Sequence, residues 1–233
     1  MERARQLVVV TTAGWDTTAG VLRRYTRADA AGRWRAVGAP VPVVVGRAGL
    51  AWDAGAVAVA ATAAPPAGAS AAAASGPRKR EGDGRSPAGV FPLDTAFGFA
   101  GRSALGARLP YVALGPQSEC VDDSASAYYN TVVDRAAVPR VDWTSAERMR
   151  AVAGYRVGVI VGYNAWPVRR AAGSCIFLHV WDGPASATAG CTAMDEAALT
   201  DVVRWLDPAR RPVLVQVPAA VYAGVRRRWR LPA

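Results

Sequence analysis

The chain has 233 residues, of which 52% are hydrophobic and 20% charged, with a net charge of +10. That balance describes a globular protein and excludes a disordered polymer, and no run has the eighteen or so strongly apolar residues of a membrane-spanning helix. Of the 28 basic residues only Lys79 is not arginine. The arginines are scattered, and the densest group, Arg226-Arg227-Arg228-Trp229-Arg230, reads as a solvated terminal strand or tail within a basic segment at 219–233. No nucleic-acid partner is therefore expected.

In chain order, Gln6 to Thr12 is a valine-rich run that reads as a strand; its apolar part is too short for a secretory signal and no cleavage site follows it. Residues 20–26 and 33–37 nearly alternate around the turn Asp29-Ala30-Ala31-Gly32, which predicts a hairpin, with a further strand at Val41–Val45. From about 54 to 76 the chain is uncharged and alanine-dominated, with Pro65-Pro66 inside it, and reads as a low-complexity surface insertion. Trp143–Met149 resembles a helix start with Thr144 or Ser145 as N-cap. Tyr155–Tyr163 and Cys175–Trp181 read as central strands. Asp195–Leu206 has helical apolar spacing, and Pro212–Val217 is a closing strand. Strands outnumber helices without a strand–helix rhythm, so the expectation is one mainly β domain with a few helices.

His179 is the sole histidine, twelve positions before Cys191. A strand-borne imidazole near a thiol fits a general base and a nucleophile, because thiolate is the reactive form of cysteine. The thiol is expected just ahead of a helix, where unpaired N–H groups favour a thiolate and an oxyanion. Gly190 permits a close backbone approach. If Cys191 is the working thiol, Cys120 and Cys175 are left either as a disulfide in an oxidising compartment or as two free buried thiols. Asp122 and Asp123 read either as turn residues or as a site for an amine, and Tyr129 either as packing or as a groove wall. One histidine and scattered carboxylates give no metal-ligand spacing, so no metal or cofactor is expected.

His179 with Thr188-Ala189-Gly190-Cys191, preceded by Ser86-Pro87-Ala88-Gly89-Val90-Phe91, resembles the L,D-transpeptidase (YkuD-type) family of bacterial cell-wall enzymes. The resemblance runs from about residue 6 to 218. It implies a β-sandwich or barrel-like fold, peptidoglycan stem peptides as partners and a periplasmic or cell-wall location. It further implies a thioester at Cys191, with His179 as base and the Val180 carbonyl fixing its tautomer. Gly190 and Cys191 N–H groups would form the oxyanion hole, and Thr188 would brace the loop. Hydrolysis by water, or wall binding without catalysis, are the alternative activities. The family often has glycine after the histidine, histidine before Gly-Cys, and an arginine two places after the cysteine. Here these are Val180, Ala189 and Ala193, so Arg85, Arg169 or Arg170 is expected to replace the carboxylate contact.

Overall fold

The computed structural model describes residues 3–53 and 75–233. The predicted insertion falls almost wholly on 54–74, outside the described residues. Fourteen strands are present among the described residues. Eleven make one curled sheet in the order β4 (Leu50–Trp52), β5 (Ser86–Pro92), β14 (Val213–Pro218), β1 (Gln6–Thr12), β2 (Ala19–Thr26), β3 (Arg35–Val44), β13 (Thr192–Met194), β12 (Phe177–Val180), β11 (Val157–Ile160), β6 (Thr95–Gly98) and β7 (Tyr111–Ala113). A second sheet orders β10 (Ala146–Arg148), β8 (Ser118–Val121) and β9 (Val132–Asp134). The expected mainly β fold is the one that forms.

The valines of β1 are buried on both sheet faces, between parallel β14 and antiparallel β2. This explains a continuous apolar run where a half-exposed strand would alternate. Three α-helices flank the sheets among the described residues: α1 (Arg102–Leu105), α2 (Glu196–Trp205) and α3 (Ala219–Val225). The stripe Leu199, Val202 and Val203 buries one face of α2, and the Asp195 carboxylate caps its start by accepting from the Ala197 and Ala198 amides.

Four local expectations are corrected. The strands expected at 33–37 and 41–45 are one strand, β3, whose register against β2 shifts between Leu22 and Arg24; an irregularity there accommodates both alternating patterns. Trp143–Met149 is not a helix start. The Thr144 amide and hydroxyl both donate to Asp123 Oδ2, and Ala146–Arg148 pairs with β8. The residues after Cys191 form β13, not a helix, and α2 begins only at Glu196. The C-terminal segment is not a solvated strand or tail either. Val221, Val225 and Trp229 recur at helical spacing and join the core with Leu231, leaving the arginines between them outside.

Of the three cysteines, Cys120 on β8 and Cys175 ahead of β12 are disulfide-bonded, and Cys191 is free and buried. The bond fastens the small sheet to the segment that enters β12.

Candidate active site

Strands β12 and β13 run parallel with Leu178 opposite Thr192 and His179 opposite Ala193. Side chains alternate between faces along a strand, so His179 and Cys191 project to the same face. Ala193, the residue beside His179, is small enough to leave that face open. Both side chains line a cavity of about 210 Å³, together with Tyr155, Glu147, Asp122 and Lys79.

Cys191 sits at the cavity floor. The Phe177 amide donates to its Sγ at 3.3 Å, and the thiol donates to the Cys175 carbonyl at 3.4 Å. Its own carbonyl accepts from Ser86 Oγ at 2.8 Å and Thr188 Oγ1 at 2.6 Å, and Thr188 Oγ1 accepts from the Gly190 amide at 3.1 Å. The start of β5 and the loop before Cys191 are thereby sewn to the same peptide. A Cβ at Gly190 would lie 3.1 Å from the Arg85 carbonyl oxygen.

His179 Nδ1 lies 2.8 Å from the Val180 carbonyl oxygen. A carbonyl only accepts, so Nδ1 carries the proton and Nε2 keeps its lone pair. Gly154 makes room for this bond, since a Cβ there would meet the same oxygen at 2.6 Å. The Tyr155 ring packs edge-on against the imidazole at 5.2 Å between centroids. No hydrogen bond joins His179 to Cys191 in this resting arrangement.

Burial sets the charge state of both groups. It pushes the His179 imidazole below its ordinary value, and pushes the Cys191 thiol far up, helped by the negative charge of Glu147. The pair therefore rests as neutral imidazole and neutral thiol. Expected assistance from a helix N-terminus is absent, because β13 intervenes and Asp195 already occupies the first amides of α2.

The remaining sequence candidates scatter. Thr188, Ala189, Gly190 and Asp122 line the cavity, whereas Asp123 does not. Asp123 accepts from Thr144 and from the Ala125 amide, which makes it a loop brace. Tyr129 is buried, donating to Glu81 and accepting from the Gly173 amide at 3.1 Å. Arg85 turns away to Asp16 at 2.7 Å and to the Leu50 carbonyl. Arg169 pairs with Asp53, and Arg170 donates to the Ser124 carbonyl. The arginine at the cavity is Arg47, whose amide donates to the Thr188 carbonyl. Sequence reasoning missed Arg47, Glu147 and Tyr155, which come from the loop after β3, a misread strand and a 3-10 turn. Ser86 was visible inside the Ser-Pro-Ala-Gly element, but its bond to the Cys191 peptide was not.

Among the described residues no group of three or more His, Cys, Asp or Glu side chains is arranged to hold a metal, and no helix is long and apolar enough to cross a membrane. No curated protein and no solved structure matched the chain. A family model described as the L,D-transpeptidase catalytic domain (YkuD) matches residues 41–215, about three quarters of the sequence. The chain therefore belongs to the L,D-transpeptidase catalytic-domain family.

Proposed function

We propose that the protein is a peptidoglycan L,D-transpeptidase with Cys191 as nucleophile and His179 as general base. The observation that carries this reading is the arrangement of the two side chains. They share one sheet face and one cavity, and the imidazole lone pair is left free by the Val180 carbonyl. His179 Nε2 takes the thiol proton as Sγ attacks the donor stem carbonyl. Gly190 and Cys191 amides receive the oxyanion, and His179 returns the proton to the departing terminal D-amino acid. The resulting thioester is opened by an acceptor amine that His179 deprotonates in turn. Thr188 holds the loop during both steps, and Ala189 forms part of the cavity's rim.

Arg47, with no ion pair of its own among the described residues, suits a stem carboxylate better than the engaged Arg85. On the other side Asp122 lines the cavity with a buried Oδ1 that has no hydrogen-bond partner among the described residues, which favours an ammonium-bearing acceptor over water. The Cys120–Cys175 bond supports a periplasmic or cell-wall location, where disulfides persist.

Incubation with a disaccharide-tetrapeptide and mass spectrometry of the products tests the reading. Cross-linked dimers are expected. Trimmed monomers would indicate a carboxypeptidase or endopeptidase, and unchanged substrate would indicate a wall-binding domain. Full activity in Cys191→Ala would overturn the mechanism.

A further inference from the structure

Tyr155 lines the cavity beside Cys191 and beside a carboxyl group, Glu147, for which the proposed reaction has no use. Its ring is wedged edge-on against Phe97, Phe177 and His179, at centroid distances of 5.9, 5.3 and 5.2 Å. The hydroxyl is thereby fixed in place while its hydrogen can still rotate. It donates to Glu147 Oε2 at 2.7 Å, and Tyr155 shares a buried cluster and the cavity lining with Cys191. Glu147 is carried by β10, opposite Cys120, so the disulfide ties its strand to the segment whose Cys175 carbonyl accepts from the Cys191 thiol.

No ion pair neutralises Glu147 among the described residues. Its titratable surroundings are Asp122, next to the small sheet, Glu81 from the segment before β5, and Cys191 and His179 in the same cavity, with His179 against the Tyr155 ring. Two cations line the same cavity. Lys79 is held by Asp83 at 2.7 Å and by the Arg80 carbonyl at 2.6 Å, and Arg47 comes from the loop after β3.

A phenol has one hydrogen to give. It can go to the carboxylate or to the thiolate, but not to both. We propose that Glu147 and Tyr155 are a positioning pair that sets how readily Cys191 ionises. A protonated Glu147 donates to the Tyr155 oxygen and releases the phenol hydrogen to the thiolate. An ionised Glu147 keeps that hydrogen and opposes the thiolate by its charge. During the reaction the S–H bond breaks and an Nε2–H bond forms on His179, while the Glu147 and Tyr155 hydrogens only reorient. Burial, together with the nearby Asp122 and Glu81 charges, raises the Glu147 carboxyl above its usual range, which makes the protonated form accessible. This inference rests on the reading of Cys191 as nucleophile, but not on which peptide it attacks.

The test is the pH dependence of Cys191 alkylation by iodoacetamide in the disulfide-intact protein, where the other two cysteines cannot react. Removing the charge with Glu147→Gln should lower the thiol midpoint by about one unit, giving about tenfold faster alkylation below it. Tyr155→Phe should raise the midpoint. Since Tyr155 is buried, Asp122→Asn supplies a second route that leaves the ring in place: it should move the Glu147 break in the rate profile to lower pH. Superimposable profiles for wild type and Glu147→Gln, or a break that Asp122→Asn leaves unmoved, would overturn the proposal. Because iodoacetamide is not a stem peptide, failure to turn over peptidoglycan would leave this readout intact, so the two readings fail separately.

Discussion

The cavity has two walls that treat charge in opposite ways. On the eleven-stranded side, His179 and Cys191 are uncharged at rest, and their backbone is locked by Ser86, Thr188 and the Val180 carbonyl. On the three-stranded side, Asp122 and Glu147 bring carboxyl groups to the same space, and among the described residues neither forms an ion pair. In the proposed reaction the large sheet contributes the reacting atoms. Under the same proposal the small sheet, fastened by one disulfide, contributes the field in which they react. On that reading reactivity and its tuning belong to different structural units and can be perturbed separately.

The sharpest break falls on the large-sheet wall. His179→Ala should lower turnover by about 10²–10⁴, the usual share of a general base, in single-turnover measurements. The sequence contains no second imidazole that could take over, so activity above a few per cent of wild type would assign the base elsewhere.

Next in size is the joint between the walls. Opening the disulfide with Cys120→Ala and Cys175→Ala should cost about 2–5 kcal/mol in denaturant unfolding, since the bond spans 55 residues of chain. If the small sheet tunes the thiol, the same variant should also change the alkylation profile of Cys191. A stability loss with an unchanged profile would leave the small sheet a structural role only.

A smaller effect tests the lock itself. Ser86→Ala leaves the buried Gly46 amide without its acceptor and removes one of two donors to the Cys191 carbonyl, for about 1–3 kcal/mol by thermal or chemical denaturation.

The pH responses of the two walls have opposite signs. Burial lowers the His179 value, so the unfolded chain takes up a proton first as the solution is acidified. This contribution to stability is intact above about pH 6.5 and is lost as pH falls toward the folded value. The acid limb of kcat/KM should accordingly lie below about 6.5. Glu147, raised by burial, stabilises most below the ordinary carboxylate range and loses that contribution as pH rises through its folded value. Histidine and carboxyl titrations by NMR would check both directions.

The smallest contrast separates the two arginines. Arg85→Ala removes an ion pair to a largely exposed Asp16, worth about 0–1 kcal/mol, and should hardly change KM. Arg47→Gln should raise KM for donors with a free terminal carboxylate and leave amidated donors unaffected.

The contrast between the walls also explains what could be read in advance. Valine runs and the apolar stripe of α2 are local patterns, and they predicted β1, β14 and α2 close to where the structure has them. The Thr188-Ala189-Gly190-Cys191 stretch carries its neighbours with it, because Thr188 and Gly190 act on Cys191 from within a few residues. Glu147 had no such signal. Trp143–Met149 carries helix-start residues, and only a distant carboxylate, Asp123, diverts Thr144 into a strand approach. Arg47 and Arg85 are indistinguishable in sequence, and what separates them is the position of Asp16 in the fold. The C-terminal arginines masked a helical apolar stripe because their charge dominates the composition of that segment.

The central claim is that the acyl group passes through the Cys191 sulfur. Incubating the protein with a donor tetrapeptide alone, quenching in acid and mapping the intact and digested masses tests it most directly. The expected result is an adduct of the donor lacking its terminal residue, labile to hydroxylamine and confined to the peptide containing Cys191. Product formation with an adduct on another residue, or undiminished product formation by Cys191→Ala, would contradict it.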